Sequence, residues 1–180
     1  WQGIQLMASS YDNVISYADI HSAYHGILVD SCDVTRQKLL LQNSTVHNCQ
    51  GYGVMVDSAK VQIYNSQLSN TLEHPLYVHG GDVEVNGCTI AQFYPFDEVV
   101  WSAPKEDKVC NFSFDHCVLR TEKMTTDDSL KFTNIIFEDL KDTTQFGEKH
   151  FRLFDTDNLK YDFRLRKESA AIGVADAASS

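Results

Sequence analysis

The strongest constraint in this chain is a repeat. Four stretches, Leu39 to Asn48, Val61 to Asn70, Val83 to Ile90 and Phe112 to Leu119, follow one pattern of alternating apolar residues and small polar turns. Anchored on Val46, Leu68, Ile90 and Leu119, they recur at intervals of 22, 22 and 29 residues, and Ala18-Asp19-Ile20-His21 is an earlier copy 26 residues before Val46. A unit this short cannot bury an apolar face alone, so neighbouring units must stack and share one continuous core.

Inside each unit the apolar residues alternate. Leu39 and Leu41, Val61 and Ile63, Val83 and Val85, and Phe112 and Phe114 lie seven and five residues before their anchors. That period of two is the mark of strands whose side chains point alternately in and out. Further short strands follow the anchors: Gly26 to Val29, Gly53 to Val56 and Pro75 to Val78. Three short strands per coil of about 22 residues, joined by turns of Asn, Asp, Ser and Gly, describe one rung of a parallel β-helix.

The register predicts which side chains lie above which. Two residues before each anchor stand Ala18, Ser44, Ser66, Cys88 and Cys117, all small, as an inward position at a tight corner requires. Two residues after stand Ser22, Asn48, Asn70 and Gln92, which predicts that Asn48 and Asn70 belong to an internal amide ladder. The plainer alternative is that both columns are surface turn residues.

The alternation V-x-I-x-N-S/C-x-I/L-x-N followed by G-x-G-[IV]-x-V resembles the repeats of bacterial right-handed parallel β-helix proteins, the pectate-lyase-like superfold. Trp1-Gln2-Gly3-Ile4 at the start, and Tyr161 to Leu165 with Ser169 to Gly173 near the end, are similar to segments of secreted or surface-attached members. Ala170 stands where the family usually places proline. The resemblance implies an all-β, right-handed solenoid with an irregular C-terminal cap, residues 1–120 forming rungs and 121–180 a short rung and cap of the same domain. It implies no single activity, because the superfold carries lyases, hydrolases, adhesins and proteins without known chemistry.

Gly3 to Leu6 align with the second strand of a rung, so an incomplete first coil, upper rungs outside this sequence and an open end able to self-associate are expected. After Leu119 the pattern returns only 18 residues later, in Leu130, Phe132, Ile135 and Phe137, which is short for a full coil. Phe146, Phe151, Leu153, Phe154, Tyr161, Phe163 and Leu165 are then expected to cover the bottom of the core.

The chain carries 25 acidic against 15 basic residues, a net charge of −10, which argues against nucleic acid or anionic lipid as partner. No run approaches the roughly 18 apolar residues of a membrane span. Cys32, Cys49, Cys88, Cys110 and Cys117 contain no CxxC pair, so neither a metal centre nor a cofactor is expected. Cys88 and Cys117 read as stacked buried thiols, with a disulfide between them as the alternative. Arg164, Arg166 and Lys167 read as a solvated strand edge rather than a substrate clamp.

Candidate chemistry is sparse. His21 and His47 occupy one outward column on adjacent rungs, beside Asp19 and Thr45 and above Ser69, where imidazoles could bind a metal or serve acid–base catalysis. Solvent-facing strand residues are the simpler reading. His25, His74, Tyr77 and His79 gather near the second strand and its turns. Tyr24, Tyr52, Tyr77, Tyr94 and Trp101 supply ring faces on which sugars pack, and the loop from Gln92 to Glu98 adds aromatics and two carboxylates. Adjacent residues on a strand face opposite ways, so Asp97 and Glu98 are not a glycosidase pair by themselves.

Segments typical of polygalacturonases and pectate lyases are absent from the sequence, and Asp155-Thr156-Asp157-Asn158 lacks the glycine and distal Glu of a calcium loop. The Asn43-Ser44-Thr45 and Asn111-Phe112-Ser113 triplets fall in strands expected in the core, so chance explains them as glycosylation signals. Two functions are left standing. One is a non-catalytic β-helix domain of a secreted or cell-surface bacterial protein, extracellular or on the outer membrane, that binds carbohydrate through Tyr77, His79, Tyr94 and Trp101. The other is a polysaccharide lyase or glycoside hydrolase with a groove along the solenoid from His21 to His79.

Overall fold

The computed structural model describes residues 1–92, 99–102, 108–122, 124–138, 150–155, 157–158 and 160–173. Its described elements are all strands, and the repeat strands pair in parallel. The chain winds as a three-sided coil. Face A stacks Ile4–Leu6, Ile27–Val29, the start of Val54–Tyr64, the start of Leu76–Asn86, and Val100–Ser102. Face B stacks Asn13–Ser16, Gln37–Gln42, the ends of those two long strands, Cys110–Asp115 and Leu130–Thr133. Face C stacks Asp19–His21, Thr45–Cys49, Gln67–Thr71, Thr89–Ala91, Val118–Leu119 and Ile136–Phe137.

The anchors form one file on face C, in the parallel register Ile20, Val46, Leu68, Ile90, Leu119, Phe137. Val46, Leu68, Ile90 and Leu119 are wholly buried, as are Leu39, Leu41, Val61 and Ile63 on face B. Each such side chain withdrawn from water contributes about 1.5–3 kcal/mol, and the shared interior stores that gain across rungs. The 18-residue rung reaches faces B and C with Leu130–Thr133 and Ile136–Phe137.

Two kinds of corner turn the coil. Between faces A and B the long strands bulge, with Ser58 at φ 57 and Gly81 at φ 104. A Cβ at Gly81 would stand 2.1 Å from the Ala59 carbonyl oxygen, so only glycine fits that bend. Between faces B and C the third residue before each anchor adopts the left-handed region: Tyr17, Asn43, Asn65, Gly87, His116 and Asn134. Asparagine and glycine tolerate that conformation best, which explains why Asn recurs there.

Next to this corner runs a buried ladder. The Ala18 N–H donates to Ser44 Oγ at 3.1 Å, the Ser44 N–H to Ser66 Oγ at 3.2 Å, and the Ser66 N–H to Cys88 Sγ at 3.5 Å. The same hydroxyls and thiols donate back to the carbonyls of Gln42, Tyr64, Asn86 and, for Cys117, Asp115. The ladder gives small polar residues a reason to be inside: each satisfies a buried backbone group that the turn leaves without a strand partner. All five cysteines are free thiols, so the disulfide alternative fails. Burial and the neighbouring Cys117 push the Cys88 thiol well above its ordinary range.

Two expectations need correction. The internal amide ladder is not formed, because Asn48 is exposed while Asn70 and Gln92 are buried. Ser22, Asn48 and Asn70 share a positive φ, whereas the buried amide of Gln92 does satisfy turn backbone, its Oε1 accepting the Thr71 N–H at 2.9 Å and its Nε2 donating to the Thr71 and Glu73 carbonyls. Among the described residues, the C-terminal hairpin lies against face C and not beneath the last rung. Phe151–Asp155 and Lys160–Leu165 form an antiparallel hairpin. Phe151 and Phe163 pack with Ala91 and Val118, and Ile136 joins them, all on the outer side of face C. Leu153 is 43% exposed, and Phe146 lies outside the described residues. The hairpin reaches upward through Tyr161, whose hydroxyl donates to Asn48 Oδ1 at 2.7 Å.

Candidate functional site

The face A strands and the turns that precede them carry a column of aromatic rings. Outward positions alternate with the buried Val54, Val56, Leu76 and Val78, so parallel register sets Leu28, Met55, Tyr77 and Trp101 one above another. The preceding turns add His25, Tyr52 and His74. His25 and Tyr52 stack at 5.5 Å between centroids, Tyr52 and Tyr77 at 4.8 Å, and His74 and Trp101 at 5.3 Å. Because each rung rises about 4.8 Å, a column over three steps extends about 14 Å along the coil.

Backbone economy makes the stack possible. A Cβ on Gly51 would fall 2.3 Å from His25 Nδ1, so the bare backbone there leaves room for the imidazole. His25 Nδ1 accepts the Tyr52 N–H at 3.1 Å, which fixes that ring in place. The inner rings offer mainly edges, since their faces meet each other at interplanar angles between 11° and 33°. Tyr24 stands edge-on to His25 at one end and is 51% exposed, and Trp101 is 41% exposed at the other.

The ribbon also bears polar groups. Burial first, then the Glu73 carboxylate and Tyr77, raise the Tyr52 hydroxyl above its ordinary value of 10.0, so it keeps its proton at neutral pH. Tyr77 Oη and His79 Nε2 are 2.8 Å apart, and His79 Nδ1 lies 4.0 Å from Asp57 Oδ1. Rings for packing and hydroxyls for hydrogen bonding thus share one strip, the combination that sugar recognition requires.

His21 and His47 are neighbours in register on face C, their rings 5.2 Å apart, and His47 Nε2 lies 2.9 Å from Asp19 Oδ1. Ser69, next in that column, is fully buried. The structure therefore divides the sequence candidates between two faces. Tyr77, His79 and Trp101 share face A and its edge; His21 and His47 project from face C, so no single flat groove runs from His21 to His79. Tyr94, Asp97 and Glu98 lie outside the described residues. Among the described residues no group of three or more His, Cys, Asp or Glu is placed to hold a metal ion, and no helix is long and apolar enough to cross a membrane.

Other motifs find structural roles. Asn158 donates from its backbone and side chain to Asp155, which makes a hairpin turn of the calcium-like sequence. Arg164 pairs with Asp162 at 2.6 Å on the hairpin. Asn43 is exposed at a turn and Asn111 is exposed on a strand, so burial in the core does not account for either triplet. Sequence reasoning missed the stacking of His74 against Trp101, because the long insertion after Ile90 hid the alignment of Val100–Ser102 with Leu76–Val78.

A search of curated proteins returned no match, and neither did a search of solved structures. A family model described as "Right handed beta helix region" matches residues 25–139, more than half of the chain. That match spans complete rungs of the solenoid just described, and the chain belongs to the right-handed β-helix family.

Proposed function

We propose that this β-helix domain is a non-catalytic, carbohydrate-binding part of a secreted or cell-surface bacterial protein, and that the face A ribbon is its binding surface. The observation that carries the reading is the column of Tyr52, His74, Tyr77 and Trp101. A sugar ring packs its apolar face on Trp101 or Tyr24 and directs hydroxyls to the edges of Tyr52 and Tyr77. The net charge of −10 favours a neutral glycan over a polyanion.

The test is titration of the full chain with neutral oligosaccharides, followed by calorimetry and tryptophan fluorescence, with Trp101→Ala and Tyr24→Ala as variants. Each variant should weaken binding by about tenfold, the value of one lost aromatic contact. Equal affinity in both variants would refute the ribbon as the site. A second reading, a polysaccharide lyase or glycoside hydrolase, draws support from the Asp19–His47 pair, since a carboxylate can orient an imidazole for proton transfer. Product release that disappears in His47→Ala would establish it.

A further inference from the structure

The corner that carries the chain from face C to face A encloses a hollow of about 460 Å³, a volume typical of small-molecule sites. Three successive turns build it: Trp1 with Gln2, Ser22 to Tyr24, and Asn48 with Gln50. Backbone hydrogen bonds lock these turns to one another. The Tyr24 N–H donates to the Trp1 carbonyl at 3.0 Å, the Ser22 N–H to the Asn48 carbonyl at 3.1 Å, and the Gln50 N–H to the Ala23 carbonyl at 3.0 Å. The walls are therefore part of the coil, set one rung above another.

The groups that face the hollow are of two kinds. Trp1 Nε1 donates to the His21 carbonyl at 3.0 Å, which spends the one polar atom of the indole and holds the ring in place while it stays 62% exposed. Tyr24 is likewise exposed, so both rings keep apolar surface in water that a ligand would cover. Neutral amides stand beside them. The Tyr161 hydroxyl donates to Asn48 Oδ1, which fixes that amide and leaves its two N–H bonds for a ligand, and the exposed Gln50 adds a further donor and acceptor. None of the side chains lining the hollow is charged: an anion finds no cation there, and a cation no carboxylate. A molecule with an apolar face and hydroxyls around its rim, a neutral pyranose, matches both kinds of group.

We propose that this corner is a second sugar subsite, off face A, in which one neutral pyranose packs on Trp1 and Tyr24 and exchanges hydrogen bonds with Asn48 and Gln50, and that Tyr161 is the positioning residue that aims Asn48. Tyr24 stands edge-on to His25 at 4.6 Å, so the hollow continues the aromatic ribbon at its end. This inference rests on the reading of the ribbon as a glycan-binding surface, and it adds the place where the hydroxyls of the sugar are read and the class of sugar admitted.

Calorimetry on the full chain with cellohexaose, xylohexaose, mannohexaose and hexagalacturonate tests it. Gln50→Ala and Asn48→Gly each remove one amide from an exposed position, and glycine accepts the φ of 52 at Asn48 without strain. Each should weaken the neutral hexaose that binds best by about fivefold, the value of one hydrogen bond. Hexagalacturonate should bind about tenfold more weakly than that hexaose, and equal binding would overturn the neutral class. Tyr161→Phe should weaken binding by about threefold in the wild-type background and add nothing in Asn48→Gly; an equal loss in both backgrounds would overturn the positioning role. Unchanged affinity in Gln50→Ala and Asn48→Gly, with a loss in Trp101→Ala, would overturn the subsite and leave the ribbon standing. A loss in the two corner variants with Trp101→Ala unchanged would support the subsite and refute the ribbon. Failure of every neutral probe to bind the wild-type chain would overturn both.

Discussion

Replacing Ser66 tests the buried ladder at its centre. Ser66 Oγ accepts the Ser44 N–H at 3.2 Å and donates to the Tyr64 carbonyl at 2.8 Å, and the residue is 4% exposed. In Ser66→Ala the Ser44 N–H is left buried without its acceptor, at a cost of about 1–3 kcal/mol, and the second hydrogen bond adds about 1 kcal/mol. The sum, about 2–4 kcal/mol, should lower the urea midpoint by roughly 1–2 M without changing the slope. Ser66→Cys places in this rung the group that Cys88 supplies in the next, where its sulfur accepts the Ser66 N–H and donates to the Asn86 carbonyl. It should therefore cost less than about 1 kcal/mol, within the range of volume-conserving changes. The reasoning is refuted if alanine is tolerated within about 0.5 kcal/mol, or if cysteine is as damaging as alanine.

Gly81→Ala should destabilise the fold by about 3 kcal/mol or more in the same assay, because φ 104 and a contact of 2.1 Å with the Ala59 carbonyl oxygen oppose any Cβ. A midpoint equal to wild type would show that the bend between faces A and B is not as described. Arg120 is wholly buried over the Phe154 ring at 4.2 Å, donates to the Gln92 carbonyl, and is held at about 10 by burial despite the charge of Glu138. Arg120→Met should cost about 3–5 kcal/mol by removing the buried charge that acts on Glu138, and adding Glu138→Gln should recover part of it; equal stability of the single and double variants would argue against that coupling. Asp33, Asp127, Asp155 and Asp162 are all held below their ordinary value of 3.8 by hydrogen bonds from Thr35, Ser129, Asn158 and Arg164. Their depressed native values mean that the unfolded chain binds more protons, so stability present above 3.8 is lost as pH falls through and below it. The urea midpoint should drop between about pH 5 and pH 2.5, and a flat profile would contradict this.

The solenoid was legible because its core obeys one period. Val46, Leu68 and Ile90 pair in the register that their spacing of 22 residues predicts, and Ser44, Ser66 and Cys88 lie buried beside them. The amide ladder failed at Asn48 because asparagine answers two demands, hydrogen bonding and a positive φ, and there the exposed amide accepts from the Tyr161 hydroxyl outside the coil instead of serving a buried turn. A better signal for the corner was present three residues before the anchors, in Asn43, Asn65, Gly87 and Asn134. The hairpin was misplaced because outward positions were read for chemistry and not for cover. Asp19, Thr45 and Gln67 are polar where the lower rungs place Val118 and Ile136, and that change of character marks the part of face C that another element must shield. On the ribbon, the residue types were visible in sequence, but the stack that joins His74 to Trp101 depends on a register that the 29-residue interval concealed.

Interstrand NMR contacts test the winding itself, on which every placement above depends. Backbone NOEs on labelled protein should connect Val46 to Leu68 and Leu68 to Ile90 in parallel register, at the spacing of about 4.8 Å between neighbouring strands. Close Hα–Hα contacts of the antiparallel kind, or a register displaced by even one residue, would contradict the stacked coil and the aromatic column it supports.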